Sequence, residues 1–150
     1  PPQAPLPTPR VSSDDDDLNV HIIKLRGSTF ERRYQDALEE VRDEMMALKR
    51  TVPVRLEFEP DNPEDRNAIE VDVKVRDLWK IVGYIPVEKI PKVTKALRNG
   101  EIVSVKLASA PQLEIHPVQS GLGVSITVLK RGKWPPDDEK NTYNSDLSNL

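Results

Sequence analysis

The chain has 150 residues, enough for one ordinary domain, with 14 Pro, 37 % hydrophobic residues and a formal charge of −3, so part of its length must lie outside any core. It has no Cys and only two His, His21 and His116, which excludes disulfides, thiolate catalysis and Cys-ligated zinc and argues against a His-based metal site. No apolar run approaches the ~20 residues of a membrane span and no signal-peptide pattern opens the chain, so an intracellular, soluble protein with no cofactor and no membrane partner is expected.

Residues 1–17 carry Pro at five positions, Ser12-Ser13 and the run Asp14 to Asp17. They hold too little apolar surface to offset chain entropy and read as a disordered tail. The Pro-rich start without an initiator Met suggests a piece of something longer. Val20, Ile22, Ile23 and Leu25 then read as a short strand ending at Gly27. Ser28 and Glu31 have the spacing of a capping box, in which each side chain satisfies the other's backbone N–H. Behind them Tyr34, Leu38, Val41, Met45 and Leu48 fall at steps of four and three, one face of an amphipathic helix over about residues 31–50. Its charged opposite face reads as solvated.

Val52, Val54, Leu56 and Phe58 alternate with polar residues, a half-buried strand with Pro53 near its start. Ile69, Val71, Val73 and Val75 repeat the pattern, so the two make an antiparallel pair joined by a polar loop at 61–66. A tight turn at Arg76-Asp77 leads to a strand at 79–85. Pro86 is placed to open a helix and Pro91 to break or restart its first turn. Val93 and Leu97 face one way on that helix, and Asn99-Gly100 stops it. Strands are expected at 102–107, 113–115 and 124–129, with Gly121 and Gly123 as the turn before the last. Residues 135–150, with Pro135-Pro136, Asp137-Asp138-Glu139 and a string of Asn and Ser, read as a second disordered tail. The total, about six strands and two helices, fits a mainly β (α+β) domain over 18–134, a small β-barrel with helices filling gaps.

That domain holds 20 Lys and Arg against 17 Asp and Glu, while the tails hold 2 against 8. A weakly basic body with acidic ends permits nucleic-acid binding without requiring it. Arg55, Lys80, Lys89, Lys92 and Lys95 are the candidates for a patch that tracks phosphates.

The loop from Glu59 to Asn67 concentrates side-chain oxygens and fixed backbone angles on a rigid sheet, where binding residues tend to sit. A carboxylate beside free N–H groups there can accept a hydrogen bond from a hydroxyl while the amides hold a phosphate. The same Asp61, Asn62, Asp65 and Asn67 can equally cap their own turn. Pro60-Asp61 and Asp72-Val73-Lys74 also spell the PD…(D/E)xK pattern of Mg²⁺-dependent nucleases. Alternating charge on a solvated strand face explains that pattern as well. There is no G-x-x-x-x-G-K-[ST] to cradle a triphosphate.

The run Asn62-Pro63-Glu64-Asp65-Arg66-Asn67-Ala68-Ile69-Glu70-Val71, followed by Val82-Gly83-Tyr84-Ile85-Pro86 and preceded by Gly27 and Phe30, resembles the signature of the HIRAN domain family over about residues 20–130. The resemblance implies an OB-like, six-stranded barrel without catalysis of its own. It implies a module that grips the 3′ end of single-stranded DNA and targets a larger nuclear DNA-repair protein. On it, Asp65 accepts the terminal 3′-hydroxyl, Asn62 contacts a phosphate or base, Phe30 belongs with the stacking aromatics and Tyr84 contacts the nucleotide. Asn67, Arg55 and Lys89 complete the expected nucleic-acid-binding set. Glu31 and Glu64 stand where DNA-binding members carry aromatics, and each lost stack forfeits about 1–3 kcal/mol. The alternative is a protein-interaction barrel, which the acidic tails and Trp134 before Pro135-Pro136 would suit. The acidic tails folding over a basic groove would make an autoinhibited form.

Overall fold

In the computed structural model of the chain, which describes residues 17–115 and 120–137, the alternating runs become strands. In chain order these are β1 (Leu18–Lys24), α1 (Arg32–Leu48), β2 (Val54–Phe58), β3 (Ile69–Val75) and β4 (Leu78–Tyr84). A 3₁₀ turn (Val87–Lys89) leads into α2 (Ile90–Arg98), followed by β5 (Ile102–Leu107), β6 (Gln112–Ile115), β7 (Ser120–Gly123) and β8 (Ser125–Arg131). His116 and most of both expected tails lie outside the described residues. Among the described residues no helix is long and apolar enough to cross a membrane.

The strands form three open antiparallel sheets, ordered β1-β8-β5, β2-β3-β4 and β6-β7. The fold is mainly β with two helices, as expected, but the described residues hold eight strands in open sheets where about six in one barrel were expected. Two local features contribute to this. Residues 120–123, read as a turn for their glycines, pair with β6 instead. The first two sheets meet through one isolated bridge, in which Arg26 and Tyr84 exchange N–H···O bonds of 2.8 Å each, so no continuous ladder closes.

Apolar side chains from both large sheets and both helices share one core, centred on Ile23, Leu38, Val41, Val71, Val82, Val93 and Ile126. β3 lies between β2 and β4 and buries most of its length. The β3–β4 hairpin turns on Arg76 (φ 53°) and Asp77 (φ 66°), the paired positive angles that a two-residue turn needs to match strand twist. Pro91 restarts its helix as expected: the 3₁₀ turn ends and α2 begins with Pro in its first positions.

The expected capping box does not form. α1 starts after Glu31 with no side-chain cap, and the Glu31 carboxylate instead accepts Arg33 Nε at 2.8 Å. Ser28 is turned inward by the Gly27–Phe30 turn (N–H···O 3.0 Å), and its buried Oγ has no partner among the described residues. It sits against Gly83, where an added Cβ would meet Ser28 Oγ at 2.7 Å. Gln35 does the fastening instead. Its Nε2 donates to Ser28 O (2.7 Å) and Leu122 O (2.8 Å), and its Oε1 accepts Leu122 N–H (2.7 Å), which ties α1 to β7.

Candidate functional site

The loop between β2 and β3 is held by its own polar groups. Its stem closes through Glu59 N–H to Ala68 O (3.0 Å), and Asn62 N–H and Ala68 N–H donate to Glu59 O and Asp65 O, both at 3.0 Å. Asn62 Oδ1 accepts Glu64 N–H (2.8 Å) and Asp65 N–H (3.0 Å), an Asx turn. Asp65 Oδ1 accepts Asn67 N–H at 2.8 Å. The Asp65 carboxylate is thus positioned through Oδ1.

The hub is Glu59, which sequence reasoning did not single out. Asn62 Nδ2 donates to its Oε1 at 2.5 Å, and Tyr84 Oη donates to Oε1 at 3.0 Å and Oε2 at 3.3 Å. β4 and the loop are thereby locked together around one carboxylate. Beside them opens a cleft of about 930 Å³. Phe30, Asn62, Asp65 and Tyr84, four of the expected residues, line it together. Phe30 is 69 % exposed there, an aromatic ring that the core does not use.

The cleft wall also carries Arg26 and Arg33, against the carboxylates of Glu31, Glu59, Asp61, Glu64 and Asp65. The site is thus acidic within a weakly basic domain. Arg26 and Arg33 escaped the sequence reading because they come from different elements that the Arg26–Tyr84 bridge and the start of α1 bring side by side. Arg33 is also 5.2 Å from the Tyr34 ring centre.

The remaining expected residues lie elsewhere. Asn67 is exposed and acts through its backbone on Asp65. Arg55 Nε donates to Asp72 Oδ2 at 2.9 Å, and its guanidinium lies 4.3 Å from the Trp79 ring centre. Lys80 pairs with Glu40, and Lys89 and Lys92 with Asp137. Four of the five cations offered as a phosphate-tracking patch are therefore ion-paired, in three separate places. The nuclease pattern does not assemble either: Asp72 is buried on Arg55, and among the described residues no three His, Cys, Asp or Glu are grouped as metal ligands.

Burial, then the neighbouring Tyr34 and Glu59, raises the Tyr84 hydroxyl well above the usual phenol range, so it stays a neutral donor to Glu59. Burial alone would raise Glu59, but hydrogen bonds from Asn62, Glu70 and Tyr84 and the Arg33 charge outweigh it and hold the carboxyl below its ordinary value. Glu70, cross-strand from Tyr84 on β3, is pushed up to about 8 by burial first, then by hydrogen bonding with Asp72 and Glu59. It carries a proton at neutral pH. The buried Asp72 Oδ1 has no hydrogen-bond partner among the described residues.

Because the folded state holds this proton more tightly than the unfolded chain, its contribution to stability is full below about pH 4.5 and is lost as pH rises toward about 8. Glu70→Gln keeps a donor and removes the titration. Its melting temperature is expected to fall less than that of the unaltered chain between pH 6 and 9. Parallel curves across that range would rule out a proton on Glu70.

A family model described as HIRAN domain matches residues 24–127, more than half of the chain. Among solved structures, the HIRAN domain of human HLTF is similar at 14 % identity with a TM-score of 0.42, covering 85 % of this chain and 84 % of that one. No curated protein matches the sequence.

Proposed function

The chain belongs to the HIRAN domain family of nucleic-acid-binding modules, and on that premise we propose that its cleft receives the 3′ end of a single DNA strand. The observation that carries the reading is Phe30, exposed on the wall of a cleft that also holds a positioned carboxylate at Asp65. A terminal base stacks on Phe30, and Asp65 accepts the 3′-hydroxyl. Tyr84, fixed by Glu59, backs the nucleotide, and Asn62 acts by setting the turn. Arg26 and Arg33 face the first phosphates.

The sign of the site supports an end rather than a passing strand. Five carboxylates around two guanidinium groups repel a chain of phosphates but accept a nucleoside whose exposed polar group is a hydroxyl. The same reading makes the chain a non-catalytic, OB-like module that directs a larger DNA-processing protein in the nucleus. Arg55 and Lys89, occupied by Asp72 and Asp137, take no direct part in the cleft.

Phe30→Ala tests the reading. Losing one base–aromatic stack is expected to weaken single-strand binding by about 1–3 kcal/mol, on the order of tenfold, without unfolding the chain. Fluorescence anisotropy with a labelled oligonucleotide measures it. Unchanged affinity would favour the second reading, a cleft for a basic peptide, which its acidic lining and the two positions occupied by Glu31 and Glu64 would suit.

A further inference from the structure

Two ammonium groups converge on one carboxylate beside the cleft. Lys89 Nζ donates to Asp137 Oδ2 at 2.8 Å and Oδ1 at 3.0 Å. Lys92 Nζ lies 2.5 Å from Asp137 Oδ1 and donates to Pro135 O at 3.2 Å. The Lys92 side chain is only 6 % exposed, which is rare for a lysine outside a specific ionic site. The segment carrying Asp137 is laid across β1 by Trp134, whose Nε1 donates to Asn19 O at 2.9 Å and whose ring stacks on His21 with centroids 5.3 Å apart. His21 Nε2 is buried with no partner among the described residues. Burial and then the Lys92 and Lys89 charges hold its imidazole below the usual range, with Asp137 acting in the opposite direction.

We propose that Lys89 and Lys92 form a phosphate-binding site, a second anchor for the nucleic-acid strand, which Asp137 fills as an internal competitor. A phosphodiester matches what Asp137 supplies. It carries one negative charge and presents two acceptor oxygens to two point-like donors, the way lysine holds phosphate. The position suits a strand leaving the cleft, because Lys89 lies between Val87 and Ile90, which both line it. The strand assignment rests on the cleft reading; the phosphate site stands on its own geometry. The acidic cleft supplies few cations for a backbone, and this pair supplies them one turn of chain away.

The test uses the full chain, Asp137→Asn, and Asp137→Asn combined with Lys89→Gln, which spares the buried Lys92. Inorganic phosphate is titrated while the Trp134 indole N–H resonance is followed. A single strand with a free 3′-hydroxyl is titrated in parallel at several salt concentrations. Asp137→Asn is expected to bind phosphate at least about fivefold more tightly than the unaltered chain, and the double variant to lose that gain. Strand affinity is expected to rise about three- to tenfold, with the salt dependence steeper by roughly 0.7 for the added phosphate.

No phosphate-dependent shift in Asp137→Asn, or one that survives Lys89→Gln, would overturn the proposal and leave Asp137 as a fastening for its own segment. Phosphate binding without a gain in strand affinity would overturn the second anchor and leave a site for free anions. Equal affinity of the unaltered chain for this strand and for one ending in a 3′-phosphate would count against the cleft alone, since the phosphate arm does not depend on it.

Discussion

Replacing Arg55 by Leu is expected to cost about 2–4 kcal/mol of stability and to leave strand binding by the folded molecule within about twofold. The cost arises at its partner. The Asp72 side chain is 3 % exposed on the central strand β3, and Arg55 is the cation within ion-pairing distance of it. Removing the guanidinium leaves a buried carboxylate without its cation, and that is far more damaging than the loss of an exposed pair. The stack on Trp79 goes with it, a further contribution of roughly 0.5–1 kcal/mol. Adding Asp72→Asn to Arg55→Leu removes the orphaned charge and is expected to recover part of the loss, a coupling that a double-mutant cycle in urea measures. A phosphate contact would behave in the opposite way: Arg55→Leu would keep its stability and lose affinity and salt dependence. That outcome would return Arg55 to the nucleic-acid-binding set.

Arg55 also illustrates what a sequence conveys and what it withholds. Alternation along 54–58 and 69–75 identifies the two strands and makes them partners, because both signals are local. It places Arg55 on the polar side of β2, where a cation looks free. That Asp72 stands directly opposite is a matter of register, with Arg55 paired to Asp72 across the ladder, and register is settled by the whole sheet. The turn at 59–68 was legible for the same local reason: Asn, Pro and Asp at those spacings carry their own hydrogen bonds.

Features that depend on distant contacts were not legible. Ser28 and Glu31 have capping-box spacing, but the close approach of Ser28 to Gly83 across the sheet junction draws the hydroxyl inward. Gly121 and Gly123 look like a turn, yet they lie in β7, where Gln35 and Glu114 crowd the space that side chains would take. The cleft shows the same division. Phe30, Asn62, Asp65 and Tyr84 could be found from their motif. Glu59, Arg26 and Arg33 could not, because an acid before Pro60 and two arginines near a helix start carry no pattern. The basic residues Lys89 and Lys92 were visible as charges, but nothing in composition pairs them with Asp137, which had been read as part of a tail.

If the cleft receives a 3′ end as proposed, discrimination between strand ends is expected to be the largest effect on binding. A hydrogen bond from the 3′-hydroxyl to the Asp65 carboxylate is charge-assisted and contributes about 1.5–3 kcal/mol in a partly buried site, roughly tenfold to a hundredfold. A 3′-phosphate forfeits that bond and brings added negative charge among Glu31, Glu59, Asp61, Glu64 and Asp65. The second term shrinks with salt and the first does not, so a preference that persists at moderate salt belongs to the hydrogen bond. Asp65→Ala removes the acceptor while Asn62 still holds the turn through the Glu64 and Asp65 N–H groups, so the loop is expected to keep its shape.

The deciding measurement is fluorescence anisotropy with 5′-labelled single strands of about ten nucleotides, one ending in a free 3′-hydroxyl and the other in a 3′-phosphate, against the unaltered chain and Asp65→Ala at low and moderate salt. End capture by this cleft requires at least about a tenfold preference for the hydroxyl strand at moderate salt, abolished in Asp65→Ala. Equal affinity for both strands, or a preference that Asp65→Ala retains, would contradict it.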